Sequence, residues 1–194
     1  PTRVGVVHCL PMQAMVLTEY NHLELQDVPI PEPARGEVRV AVRAVGICGS
    51  DVHGYDGSSG RRIPPIIMGH EASGVIDTIG GAQGIRTSSG EWAVGDRVTF
   101  DSTVYRLDDW YSRRGLYNLS DGREVLGVST PQFRRNGAFA EYVVVPEHIL
   151  YRIPESVSFE HAALVEPFGV AAHAVNLADP RAGDAAVVVG CGTI

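Results

Sequence analysis

Short extended segments, separated by glycine and proline turns, follow one another along most of the chain, and this pattern constrains the fold more than any other feature. Residues 37–47 alternate charged and apolar side chains, which is the period of a strand with one buried face. Further segments of this kind are 13–20, 22–30, 69–80, 94–100 and 137–154. Many short strands joined by glycine-rich turns predict a mostly β domain of the barrel type.

Beyond residue 154 the chain becomes rich in alanine, with apolar residues at helical spacing. We expect Ser158 to be an N-cap and Pro167 to break the run into two helices. Residues 185–194, AAVVVGCGTI, predict a buried parallel strand that enters a phosphate-binding turn. Gly190 and Gly192 would begin the Gly-x-Gly-x-x-Gly pattern of nucleotide-binding turns.

Composition excludes several classes of function. The 194 residues carry a net charge of −7, which argues against nucleic acid or an anionic membrane as a partner. All 16 basic residues are arginine, so Schiff-base chemistry, which needs a lysine amine, is excluded. The three cysteines are far apart in the chain, which favours a reducing cytoplasm over a disulfide framework. No apolar run reaches the roughly twenty residues that span a bilayer.

The segment 44–55, AVGICGSDVHGY, brings a thiol, a hydroxyl, a carboxylate and an imidazole close together. It does not match the Gly-x-Ser-x-Gly turn of serine hydrolases. A metal site is the stronger hypothesis, because Cys48 is followed downstream by the adjacent pair His70 and Glu71. Glu166 lies in an otherwise apolar helical run, where a carboxylate is costly to bury unless it is paired or bound to a metal.

Each of these residues also has a structural explanation when it is taken alone. Cys48 could be a small buried side chain, His70 could cap a turn, and Glu166 could pair with an arginine. Their joint occurrence favours metal binding. Thiolate, imidazole and carboxylate together suit zinc, and three protein ligands leave the open position of a catalytic site.

The chain resembles the zinc-dependent medium-chain dehydrogenases, and most of all their sorbitol (L-iditol) and threonine dehydrogenase branch. The motifs, in family order, are GICGSDVH, GHEASGVI, VGDRV, GAFAEYVVVP, VEPFGVAAHAV and VVVGCGTI. The resemblance implies a chaperonin-10-like, partly open barrel that forms a zinc catalytic domain over 12–154. Residues 155–194 would be connecting helices and the first strand of a truncated NAD-binding α/β Rossmann domain, and residues 1–11 an N-terminal extension.

The resemblance also assigns the zinc ligands. Cys48 and His70 would bind one catalytic zinc, and either Glu71 or Glu166 would be the third resting ligand. Asp51 would accept a hydrogen bond from His70 and so fix the tautomer of the imidazole. The implied reaction is oxidation of a secondary alcohol, with hydride transfer to NAD or NADP.

Proton transfer would use two further residues. Ser50 would take the proton of the alcohol, and His53 would pass it to solvent, because an imidazole side chain titrates near neutral pH. The alternative is a helix N-cap followed by a solvated histidine. Tyr55, with Arg61 and Arg62, would line the substrate side or simply face water. A polyol is the expected substrate; threonine and butanediol are the alternatives.

One lobe departs from the family pattern, because none of the four cysteines that hold a structural zinc in many relatives is present. Their places are taken by Arg106, Asp109, Ser112 and Ser120. We therefore expect no structural zinc. In its place we expect an ion pair between Arg106 and Asp109. Three aromatic side chains, Trp110, Tyr111 and Tyr117, are expected to fill the volume.

The expected partner is a small alcohol or polyol, without nucleic acid or membrane, and the full-length protein would form a homo-oligomer. The chain would be the front part of such an enzyme, inactive alone because it holds NAD poorly. A non-catalytic zinc-binding module is the competing hypothesis. A zinc-free quinone reductase is disfavoured, because those relatives lack the cysteine and histidine-glutamate ligands.

Overall fold

The structure is a computed structural model that describes residues 11–81, 91–190 and 192. The expected N-terminal extension, apart from Pro11, lies outside these residues. The strands are β1 Pro11–Glu19, β2 His22–Pro29, β3 Glu37–Val45, β4 Ile66–Ile67, β5 Ala72–Ile79, β6 Arg97–Phe100, β7 Thr103–Val104, β8 Glu124–Leu126, β9 Arg134–Arg135, β10 Tyr142–Pro146 and β11 Leu150–Arg152. The helices are α1 Gly49–Tyr55, α2 Phe159–Ala163 and α3 Val165–Ala178, and short 3-10 turns lie at Ser112–Arg114, Tyr117–Leu119 and Glu147–Ile149.

The strands form three small sheets, which confirms the predicted mostly β domain. The five-stranded sheet has the order β10-β3-β5-β6-β11 and is antiparallel throughout. The other sheets have the orders β2-β1-β4 and β7-β8-β9. Alternate residues of β3, such as Val38 and Val40, are fully buried, as the alternation of charged and apolar residues predicts. Their side chains join the main core with Ile76, Val98 and Val145 from the neighbouring strands.

The register between β3 and β5 decides where polar groups can meet. Val45, at the end of β3, pairs with Ala72, at the start of β5. One residue further on, the N–H of Gly46 donates to the carbonyl of Glu71 at 2.7 Å. The chain that leaves β3 and the chain that enters β5 therefore run side by side at one edge of the sheet.

The predicted division into two helices is confirmed, but Pro167 does not cause the break. The hydroxyl of Ser158 caps α2 by accepting from the N–H of His161 at 3.2 Å, as expected. The break falls at Leu164, and Pro167 lies in the first turn of α3, where a helix does not need its missing N–H. The hydroxyl of Ser73 in β5 donates to the carbonyl of Phe159 at 2.6 Å and anchors α2 to the sheet.

Residues 185–190 do not form the buried strand that the sequence predicts for 185–194, and residues 191, 193 and 194 of that segment lie outside the described residues. Residues 185–190 have no regular secondary structure, and Val187, Val188 and Val189 are 81–96% exposed. A strand needs ladder partners for its backbone groups, and no described strand pairs with this segment. Gly190 has a φ of 98°, and Gly192 is exposed. Of the helices in the described ranges, none is long and apolar enough to cross a membrane.

The contacts that hold the lobe at 105–123 differ from those expected from the sequence. Arg106 pairs with Asp108, at 3.2 Å, and not with Asp109. The Asp109 carboxylate instead accepts from the N–H of Ser112 at 2.8 Å and from the hydroxyls of Ser112 and Ser120. We call Asp109, Ser112 and Ser120 the lobe clasp. It forms because both serine hydroxyls are short donors that reach one carboxylate.

Of the three aromatic side chains expected to fill the lobe, Tyr111 is half-buried and the other two are largely exposed. Trp110 is 59% exposed and Tyr117 is 41% exposed. Trp110 stacks beneath Arg114, whose guanidinium carbon lies 3.8 Å from the ring centroid, while Tyr117 packs on Tyr105. Because these rings stay near the surface, the lobe clasp is the better candidate for the main local constraint.

We predict that Asp109→Ala lowers the melting temperature of the chain at pH 7, whereas Asp108→Ala leaves it nearly unchanged. The hydrogen bond from Ser120 holds the pKa of Asp109 below its usual range. A lowered pKa stabilises the fold above about pH 4, and this contribution is lost progressively as the pH falls from there through the lowered pKa. The difference between wild type and Asp109→Ala should therefore shrink in acid, which thermal melts at pH 7 and pH 3.5 measure. Equal shifts in the two variants would contradict the clasp.

Candidate metal centre

Three side chains with metal-ligating atoms meet where β3 ends and β5 begins. Among the described residues, Cys48, His70 and Glu71 form a group whose ligand atoms all lie within 4.8 Å of one another. His70 and Glu71 are buried, and Cys48 is half-buried. The β3–β5 register explains the grouping, because it places the segment after Val45 beside the segment before Ala72.

Cys48 is fixed by the start of α1. It is the N-cap residue of this helix, and its sulfur accepts from the N–H of Ser50 at 3.5 Å. In return, the N–H of Cys48 donates to Oδ2 of Asp51 at 3.1 Å. These reciprocal bonds form a capping box, which satisfies backbone donors that a helix start leaves free. The alternative role of Ser50 as the N-cap is wrong, because Cys48 takes that position.

Asp51 also faces His70, as expected. Oδ1 of this buried carboxylate lies 3.6 Å from Nδ1 of His70. Burial alone would lower the pKa of His70, but Asp51 and the more distant Glu166 outweigh it, and the pKa lies above its usual range. Because Nδ1 faces the carboxylate, Nε2 is the ring nitrogen left for a metal.

The Glu71 carboxylate occupies the space that a side chain at residue 46 would need. A Cβ at Gly46 would lie 2.3 Å from Oε2 of Glu71. The φ of Gly46 is not in the left-handed region, so space, not backbone conformation, requires glycine here. The close approach keeps the Glu71 carboxylate against the end of β3.

Glu166 does not belong to the three-residue ligand group. Its Oε1 accepts from the hydroxyl of Ser102 at 3.1 Å, and Ser102 is itself 9% exposed. Burial raises the pKa of Glu166, while the nearby His70 and the Ser102 hydrogen bond oppose that rise. Glu166 therefore lies near enough to His70 to raise the pKa of the imidazole. Its carboxylate is hydrogen-bonded to Ser102, in the connection between β6 and β7, and not to the ligand group.

The residues expected to transfer protons lie on α1. The Oγ of Ser50 accepts from Nη2 of Arg62 at 3.0 Å. His53 is exposed, and its Nδ1 lies 3.2 Å from the hydroxyl of Ser58. Tyr55, expected on the substrate side, donates its hydroxyl proton to the carbonyl of Asn21 at 2.6 Å, so this donor is already used within the fold.

The sequence misjudged one polar side chain near the ligand group and did not indicate another. Arg62 is 5% exposed, although it was expected to reach substrate or face water; its neighbour Arg61 is exposed. Ser102 was not noticed at all. No local pattern distinguishes Arg61 from Arg62, and a lone serine after a strand carries no signal.

A separate groove of about 490 Å³ between β1, β2 and β9 includes none of the ligand group in its lining.

The donor set fits a zinc ion. A thiolate, an imidazole nitrogen and a carboxylate oxygen are the ligands that zinc takes in catalytic sites, with one position left open. The buried Nδ1 of His70 has no hydrogen-bond partner within normal distance, and neither has the facing Oδ1 of Asp51. These two atoms face each other at 3.6 Å, as the donor and acceptor that would orient a metal-binding imidazole.

Comparison with known proteins places the chain in a family. The family model described as the alcohol dehydrogenase GroES-like domain matches residues 34–155. The chain belongs to this family, the zinc-dependent medium-chain dehydrogenases, and corresponds to their N-terminal portion.

Several curated relatives match most of the chain. It is 36% identical over 183 residues to the starvation-sensing protein RspB of Escherichia coli, covering 94% of this chain and 51% of RspB. It is 34% identical to sorbitol dehydrogenase of Bacillus subtilis over 194 residues, 97% of this chain and 52% of that protein. It is 37% identical to L-threonine 3-dehydrogenase of Pyrococcus horikoshii over 175 residues, 88% and 47%. The chain thus spans about half the length of the curated relatives it matches.

Solved structures agree with this assignment. One is the alcohol dehydrogenase RspB of Escherichia coli CFT073, complexed with the cofactor NADH, which is 36% identical with a TM-score of 0.74. The match covers 88% of this chain and 46% of that one. The GroES-like barrel fold is therefore shared with proteins that bind a nicotinamide cofactor.

We predict that Gly46→Ala displaces Glu71 and lowers the zinc affinity of the chain by about tenfold or more, as loss of ligand positioning does elsewhere. The matched control is Gly49→Ala, because a Cβ there meets nothing within 4 Å. Competition with a chromophoric chelator measures the affinity. Equal affinities in the two variants would show that Glu71 is not held by this contact.

Proposed function

We propose that this chain is the catalytic, metal-binding portion of a zinc- and nicotinamide-dependent dehydrogenase that oxidises a secondary alcohol, in particular a polyol. The observation that carries the proposal is the group of half-buried Cys48 with buried His70 and Glu71, and the Asp51 carboxylate facing His70. Several relatives are named for alcohol oxidation, among them sorbitol dehydrogenase. A polyol remains the favoured substrate, and threonine or butanediol the alternatives.

Cys48, His70 and Glu71 would hold the zinc. Bound zinc would act as a Lewis acid toward the alcohol oxygen, and NAD or NADP would accept the hydride. We place Glu71 ahead of Glu166 as the resting third ligand, because Glu71 lies within the group and Glu166 is hydrogen-bonded to Ser102. Asp51 keeps the imidazole of His70 oriented with Nε2 toward the ligand group.

Ser50 would accept the hydroxyl proton of the alcohol and His53 would release it to solvent. One contact and one exposed side chain support this order. The Oγ of Ser50 has a lone pair left after accepting from Arg62, and its own hydrogen remains free to be donated. His53 is exposed at the far end of α1, so a proton reaching it can leave to water.

The first experiment is to count the metal bound to the purified chain. We expect one zinc per chain, lost in Cys48→Ser and bound more weakly in Glu71→Gln than in Glu166→Gln. The reason is that loss of one ligand in three leaves the ion with too few protein contacts. Elemental analysis and chelator competition provide the count and the affinity. A folded chain without zinc would favour a binding module, and two zinc ions would contradict the expectation of a lobe without metal.

A second prediction concerns the proton path. In the whole protein, assayed with NAD or NADP, Ser50→Ala should lower kcat about 100-fold with its zinc content unchanged, the effect of losing one acid–base group. Ser59→Ala is the control, because the hydroxyl of Ser59 only accepts from the N–H of Arg61 within the following loop. A panel of sorbitol, xylitol, threonine and butanediol identifies the substrate class. An unchanged kcat in Ser50→Ala would exclude Ser50 from the proton path.

A further inference from the structure

Arg62 is buried although it follows an exposed loop of glycine and serine residues. Only 5% of the residue is exposed, whereas Arg61 beside it points to solvent. Charged residues are rarely buried unless they are paired, so the position of this guanidinium needs an explanation.

The helix α1 is shaped to admit the Arg62 side chain. A Cβ at Gly54 would lie 2.7 Å from Cγ and 2.9 Å from Cδ of Arg62. Gly54 is buried and its φ lies outside the left-handed region, so the requirement for glycine comes from the arginine stem. The stem thus runs across the face of α1 toward its first turn.

The guanidinium ends between two residues of that turn. Its Nη2 donates to Oγ of Ser50 at 3.0 Å and lies 3.6 Å from Oδ1 of Asp51. The same oxygen lies 3.6 Å from Nδ1 of His70. One carboxylate oxygen therefore stands between the arginine and the histidine, while the other caps α1 through the N–H of Cys48.

We propose that Arg62 is a positioning residue that links the metal-ligand group, through Asp51, to Ser50, the residue proposed to accept the proton. It supplies the permanent counter-charge that keeps Asp51 opposite His70, because a neutral metal-binding imidazole cannot supply one. Arginine has only donors, so Ser50 cannot donate its hydroxyl hydrogen to Arg62 and must direct it elsewhere. The inference rests on the proposed function, since it assigns Arg62 a role toward that same centre.

The test uses the 194-residue chain with Co²⁺ as a spectroscopic substitute for zinc. In Arg62→Met the stem is retained and the charge is lost. We expect the affinity for Co²⁺ to fall by about tenfold or more, as for other residues that orient metal ligands, and the visible spectrum of the bound ion to shift. Arg62→Lys, which keeps a charged donor, should recover part of the affinity. Arg61→Met is the matched control and should leave both readouts unchanged.

A second variant covers the case in which Arg62→Met does not fold. Gly54→Ala keeps the charge but pushes the arginine stem away, and it should shift the Co²⁺ spectrum in the same direction. Unchanged or increased affinity in Arg62→Met would overturn the proposal, because an arginine that only repels the ion would give that result. If the wild-type chain binds Co²⁺ and the variants bind it equally well, the proposed role of Arg62 is wrong but the proposed function stands. If the wild-type chain binds no Co²⁺, both the role of Arg62 and the proposed function are wrong.

The proposed effect of Arg62 on Ser50 is tested separately, by kcat in the whole protein. If Arg62 acts through Ser50, the double variant Arg62→Met/Ser50→Ala should lose no more kcat than the more impaired single variant, because residues in one network are not additive. Losses of kcat that multiply would show that Arg62 does not act through Ser50.

Discussion

The buried carboxylate of Asp51 is the group on which the candidate centre depends. Only 2% of the residue is exposed, and removing a carboxylate from water costs several kcal/mol unless its lone pairs and charge are satisfied. The compensation comes from three sides: the N–H of Cys48, the imidazole of His70 and the guanidinium of Arg62. Because one side chain makes all of these contacts, the start of α1, the orientation of the histidine and the burial of the arginine are set together.

The barrel supplies the rigidity that this arrangement needs. Cys48 lies three residues beyond the last residue of β3, and His70 and Glu71 come directly before β5, whose first residue pairs with the end of β3. Little chain therefore has to be ordered to bring the ligand atoms together, and the entropic cost of assembling the site falls mainly on folding the sheet. The tight fit of Glu71 against Gly46 removes one more degree of freedom.

Local pattern was sufficient to predict much of this architecture. Alternating residues predicted β3, the serine at 158 predicted the start of α2, and thiol, imidazole and carboxylate in glycine-rich segments predicted the ligand candidates. Contacts set by tertiary structure could not be predicted in the same way. Burial of Arg62 depends on a glycine eight residues earlier in the chain, and the partner of Asp109 depends on which of several nearby donors reaches it. The segment 185–189 has the composition of a strand, but composition provides no ladder partner.

The two glutamates near the centre differ in what fixes them, and this difference bears on the chemistry. Glu71 is attached to the sheet, one residue from the β3–β5 pairing, so its place relative to Cys48 is a property of the barrel. Glu166 is carried by α3, in which Phe168 and Leu177 are more than 70% exposed. Its carboxylate is placed by the Ser102 hydrogen bond and, through α2, by the contact of Phe159 with the sheet. The centre thus has one carboxylate whose position is fixed by the barrel and a second whose position depends on the helical segment that bears it.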